Sequence, residues 1–157
     1  MQTAFTDSLG RNWPIKIAIG GVRRVRETLD YDVTKALDGG EETAKLGDVV
    51  FLVDLLFELV RPEAERRGIS GEQFAEGLNG DVLEAGAAAM AEALVDFFPL
   101  ARRELYRRAL EAGRKLAHRA TSLTLQKLDE ADALSTSTPI SGALPESSDS
   151  APMNSTA

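Results

Sequence analysis

The sequence predicts a mainly α fold: an N-terminal β-hairpin, then about five helices with the last one long, and a disordered C-terminal tail. Three patterns carry that expectation. Apolar Trp13, Ile15, Ile17 and Ile19 alternate with Pro14, Lys16 and Ala18, and the period becomes helical after Gly20-Gly21. Residues 46–60 are apolar almost all round, as in a helix covered on most sides. Beyond Asp132 the chain is dominated by Ser, Thr, Pro, Ala and Gly, has no basic residue, and cannot bury enough apolar surface to offset its ordering entropy. The expected organisation is therefore one domain over residues 1–131 and a tail over 132–157.

Each element has its own local reason. Residues 3–5 and 13–19 flank the turn-rich Asp7-Ser8-Leu9-Gly10-Arg11 and read as a hairpin with one apolar face. Pro14 cannot donate to a ladder, so it belongs at the start of its strand or on an open edge. A lone hairpin is marginal in water, so its Trp and Ile face must lie on helices of this chain or on another copy. Val22, Val25 and Leu29 then share one helical stripe, with Arg23, Arg24 and Arg26 pointing elsewhere. Residues 31–36 offer a further turn of helix before Asp38-Gly39-Gly40 breaks it.

The helix over 46–60 is the expected core element, ending at Arg61-Pro62 because the residue before a proline is pushed out of the helical region. Ser70-Gly71-Glu72-Gln73 fits a capping box ahead of a short helix over 72–78, which stops at Asn79-Gly80. Asp81 is the expected cap of the next helix, which runs to Phe98-Pro99. Its alanines, from Ala85 to Ala93, make it thin-walled, so that a neighbour can approach closely. Asp81, Glu84, Glu92 and Asp96 give it one acidic face, within roughly a third of the circumference at about 100° per residue. Residues 100–128 read as one long helix, half apolar (Leu105, Tyr106, Ala109, Leu110, Leu116, Leu123) and half basic.

Composition narrows function. The 157 residues include no Cys and a single His, and carry a net charge of −7. No disulfide framework, thiolate metal site or cysteine nucleophile is possible, and a His-based zinc site or a Ser-His-Asp triad would have to rest on His118 alone. The charge is dipolar: +4 over residues 1–26, −12 over 27–98, +6 over 99–128 and −5 over 129–157. The N-terminus carries no basic, apolar signal-like stretch, and the most apolar segment, 49–60, is too short and too charged to cross a bilayer of about 30 Å. A cytoplasmic protein with no membrane association is the expectation.

Chemical motifs are sparse. Asp54 and Glu58, four apart on the apolar helix, are the best acid/base candidates, and the competing reading is that they lie on its wet edge or pair with arginines of the first helix. Gly20-Gly21 lacks both phosphate-loop signatures and reads as a strand-to-helix joint. Residues 68–78 resemble the front of a helix-turn-helix, but the helix that follows has four acidic groups and no Lys or Arg, which DNA would repel. Trp13 and Tyr106 read as core or interface aromatics. No catalytic, cofactor-binding or metal-ligating residue is assigned, and no cofactor is expected.

Several stretches taken in order do resemble a known family. They are Phe5-Thr6-Asp7-Ser8-Leu9-Gly10-Arg11-Asn12-Trp13, Val22-Arg23-Arg24-Val25-Arg26, the segment 52–62 ending in Glu58-Leu59-Val60-Arg61-Pro62, the segment 68–74, and Leu94-Val95-Asp96-Phe97-Phe98-Pro99. The order resembles small proteins of prophage tail-gene clusters that look like tail assembly chaperones of long-tailed phages, over roughly residues 3–115. The resemblance implies a non-enzymatic role in the bacterial host cytoplasm. Such proteins coat the helical tape measure protein, keep it soluble and recruit tail tube subunits, and copies of this chain would array along that client. The family supplies no catalytic or fixed binding residues to carry over. A structural head-tail or neck component, or a nucleic-acid-binding regulator using the basic last helix, are the competing classes, with nucleic acid the less expected partner.

Overall fold

The structure, a computed structural model, describes residues 3–136. The chain divides into two compact units, Met1–Gly113 and Arg114–Ala157. Most of the expected tail, from residue 137 onward, lies outside the described residues, and residues 132–136 are still helical.

Strands β1 (Ala4–Thr6) and β2 (Asn12–Pro14) pair antiparallel with Phe5 opposite Trp13. The alternation continues past β2, so Trp13, Ile15 and Ile17 are buried while Pro14, Lys16 and Ala18 face outward. Ile19 departs from the pattern: it is exposed and opens helix α1 (Ile19–Leu29), because the Ala18 carbonyl already accepts from the Val22 N–H. Gly20 and Gly21 thus sit within the first turn of α1 rather than in a joint before it. Val22 and Val25 face inward as the stripe requires. The turn expected over 31–36 is a single 3-10 turn, Val33–Lys35, capped by Asp32. A five-residue helix, α2 (Glu41–Lys45), follows the glycine pair and is too short for any periodicity to announce.

Helix α3 (Val49–Arg66) is the central element, with both ends different from expectation. It begins at Val49 because the Asp48 carboxylate accepts from the N–H groups of Val50 and Phe51, and its first turn is open, Val49 and Val50 being exposed. It does not stop at Arg61-Pro62 but runs through the proline. Pro62 has no N–H for the carbonyl of Glu58, four residues back. The Arg24 guanidinium, reaching across from α1, donates to that carbonyl twice, at 3.2 and 2.9 Å. A tertiary contact thus replaces the missing helical bond and lets the helix continue for another turn.

Helix α4 (Gly71–Ala75) has the expected capping box, with Ser70 Oγ accepting from the Gln73 N–H and Gln73 reaching back to the Ser70 N–H. It is shorter than the sequence suggests, and residues 76–78 form a turn against the hairpin. Helix α5 (Gly80–Phe97) is capped by Asn79, whose side chain accepts from the Val82 N–H; Asp81 lies in its first turn instead. Helix α6 (Leu100–Thr136) extends eight residues past the expected end at 128.

The core joins both strands to α1, α3, α4 and α5. Trp13, Tyr31, Phe5, Phe74, Leu55, Leu56, Met90 and Leu94 are its largest buried members. The hairpin therefore packs on its own helices. Gly86 of α5 meets α3 so closely that a Cβ there would stand 2.8 Å from Leu56 Cδ1, the close approach the small-residue helix allows. Among the described residues no helix is long and apolar enough to cross a membrane.

Candidate interaction groove

The hairpin turn and the end of α4 are joined around Asp7. Asp7 organises the hairpin turn: its Oδ1 accepts from the N–H groups of Leu9 and Arg11, and its Oδ2 accepts from Trp13 Nε1 at 2.8 Å and Arg11 Nε at 2.5 Å. Burial pushes the Asp7 carboxyl upward, but the bonds from Trp13 and Arg11 outweigh it and leave the group below its ordinary value. Arg11 also donates to the Gln73 carbonyl, and Ser8 bonds the Gly77 carbonyl, so the turn is tied to the end of α4. Gly77 is required there, since a Cβ would lie 2.5 Å from Arg11 Nη2 and 2.7 Å from Asp7 Oδ2. Trp13 is fully buried, with the Arg67 and Arg11 guanidinium carbons 4.9 and 5.5 Å from its ring and Phe74 edge-on at 5.1 Å.

The acid/base candidates separate. Asp54 is exposed, whereas Glu58 is 3 % exposed and pairs with Arg61 on its own helix and with Arg24 at 3.6 Å. The carboxylate and carbonyl of Glu58 thus both face the Arg24 guanidinium, a clamp between α1 and α3. His118 is exposed on α6, and among the described residues no group of three or more His, Asp or Glu side chains gathers as a metal site. The stretch that resembles a helix-turn-helix buries Phe74 in the core, and the α5 that follows it carries no Lys or Arg.

The first unit also holds an apolar groove of about 300 Å³, smaller than two more open hollows of about 510 and 420 Å³ that border the hairpin. Ala87, Met90 and Ala91 of α5 form one wall, and Tyr106, Ala109 and Leu110 of α6 form the other. The floor comes from the stretch between the 3-10 turn and α3, which includes α2, through Ala36, Leu37, Thr43 and Leu46. Sequence patterning points to both walls, one small-residue helix and one half-apolar helix. The floor has no such signal, because distant bonds place it. Tyr31 Oη donates to the Glu42 carbonyl at 2.7 Å, and Thr43 Oγ1 donates to the Ala36 carbonyl at 2.8 Å. Burial, with the nearby Glu42 and Asp32 charges, pushes the Tyr31 hydroxyl up to about 12.

Tyr106 fixes the outer wall. Its ring packs on Phe98 at 4.8 Å, and its hydroxyl donates to Asp38 Oδ1 at 2.6 Å, which with burial and the Asp38 charge raises the phenol above its ordinary value. Arg103 donates to the Asp96 carbonyl, and the Arg107 guanidinium lies 3.9 Å from the Asp96 carboxylate. Asp96, through its carbonyl and its carboxylate, thus meets two arginines at the start of α6. The groove's volume is at the lower end of small-molecule sites, and its lining of alanines, Met and Leu offers few directional polar groups to orient such a ligand. It suits apolar side chains presented by a helix.

Comparison of the chain with protein-family models, with curated proteins and with solved structures finds no match.

Proposed function

We propose that this protein is a non-enzymatic tail assembly chaperone of the phage or prophage type, which binds the helical tape measure protein in the bacterial cytoplasm and helps bring tail tube subunits to it. The observation that carries the reading is the apolar groove between α5 and α6, floored by the 36–46 segment that includes α2. A long helical client needs partners that cover its apolar stripe side chain by side chain, and a groove walled by alanines, Met90, Leu110 and the Tyr106 ring admits such side chains without demanding one sequence. The stretches that resemble the tail chaperones support the choice of client, and the groove supports a helical one. The dipolar charge distribution supports arrays of copies along one client, since unlike faces of neighbouring copies attract.

The test is co-expression with the neighbouring tape measure product, followed by size exclusion. Co-elution and a gain in soluble client are expected, both lost in an Ala91→Arg variant that fills the groove with a charged chain. A client that stays insoluble, or that elutes alone beside the folded wild-type protein, contradicts the proposal.

A further inference from the structure

The groove between α5 and α6 is apolar inside and acidic at its edge. On α5, Met90 is the buried side of the wall, and Glu84, Ala88 and Ala91 follow one another along its outer side at about 100° per residue. In α2, Thr43 and Leu46 turn to the groove and Glu42 lies about 40° round the helix from Leu46. Glu41 and Lys45, paired at 4.0 Å, point away from it. Asp38, exposed between the lining residues Leu37 and Gly39, receives the Tyr106 hydroxyl. Against these three carboxylates stands Arg102, one turn before Tyr106 on α6, whose charge reaches the Tyr106 hydroxyl. Arg103 and Arg107 turn instead to Asp96. Among the described residues Asp38, Glu42 and Glu84 form no ion pair.

Carboxylates at the edge of an apolar groove stay in water and act on whatever is laid across that edge. A helix seated with its apolar side chains in the groove brings the residues beside its apolar stripe to the rim. Lys or Arg there would lay its stem on apolar surface and its charge against the rim, whereas Asp or Glu would meet like charge. We propose that the groove selects apolar helices by the charge beside their apolar stripe, accepting those flanked by Lys or Arg and refusing those flanked by Asp or Glu. Selection of this kind uses repulsion of the wrong helix as much as attraction of the right one. The inference rests on the groove being the helix site, and it adds the chemistry of the helix that the site takes.

Fluorescence anisotropy of labelled helical peptides of about 20 residues, titrated with the full chain, tests it. Two peptides share one stripe of Leu and Ala at i, i+3, i+4 and i+7 spacing, flanked by Lys in one and by Glu in the other. The Lys peptide should bind at least about tenfold tighter at low salt, the sum of two or three solvated charge pairs, and the margin should shrink as salt rises. Glu42→Gln with Glu84→Gln should cut that margin to about threefold or less. Trp13, the one tryptophan, lies in the first unit, so unchanged emission in this variant shows that the fold is retained. A third peptide, with the Lys composition but its apolar spacing scrambled, should bind weakly, which separates the groove from general attraction to a chain of net charge −7. Equal binding of the Lys and Glu peptides, lost in Ala91→Arg, overturns the selectivity while leaving the groove as a helix site. A margin that survives the Glu42 and Glu84 changes overturns it too, as does a scrambled peptide that binds as well as the ordered one. Binding by none of the peptides overturns it together with the groove as a site for apolar helices.

Discussion

At the scale of single residues, Asp7 is where the hairpin is decided. Its carboxylate accepts four bonds with no side-chain exposure, so Asp7→Ala leaves the Trp13 indole and the Arg11 guanidinium without their acceptor and should cost about 3 kcal/mol in urea unfolding. Because folding lowers the Asp7 pKa from its ordinary 3.8, its contribution is complete above that value and fades as pH falls through the lower folded value. Asp32, lowered chiefly by its bond from Thr34, adds in the same direction. Urea midpoints measured from neutral pH down into acid should therefore fall less steeply for Asp7→Asn than for the wild type. Gly77→Ala should cost about 1–3 kcal/mol, since its Cβ meets the same Asp7–Arg11 pair with no room to yield. These roles were only half legible in the sequence. The turn around Asp7 is signalled by its composition, but the carboxylate's bond to an indole six residues on is a consequence of the register.

Elements were read best where a local rule decides them. The Ser70–Gln73 capping box and the Trp13–Ile17 alternation depend on neighbours within a few residues, and both stand in the structure. The end of α3 does not, because Pro62 forbids a bond that Arg24 replaces from 34 residues away. That exchange predicts a coupling. Arg24→Met should destabilise by about 3 kcal/mol, leaving the buried Glu58 carboxylate with one partner and its carbonyl with none. In a Pro62→Ala background the new N–H can serve the carbonyl, so the same change should cost about 1 kcal/mol less. Additivity of the two substitutions in equilibrium unfolding would show that the Arg24 bonds to the carbonyl carry no weight. The helix α5 allows a parallel check: Gly86→Ala should destabilise by pressing on Leu56, whereas Ala85→Ser, on its exposed side, should be near neutral.

For the molecule as a whole, the walls of the groove were legible and its floor was not. Ala-rich α5 and the start of α6 announce themselves by composition and period, while Tyr31, Thr43 and Tyr106 assemble the loop between them through bonds that no pattern encodes. Tyr106→Phe removes the tie to Asp38 and keeps the ring, so it should loosen the groove with little loss of global stability, about 1 kcal/mol, and weaken capture of a helical client. We propose that this groove holds a helix of a tape measure client. The most direct measurement is titration of a labelled apolar helix from the neighbouring tape measure product into the purified full chain, wild type and Ala91→Arg side by side. Saturable binding by the wild type, lost in the folded Ala91→Arg protein, is the predicted result; no binding, or equal binding by both proteins, would contradict it.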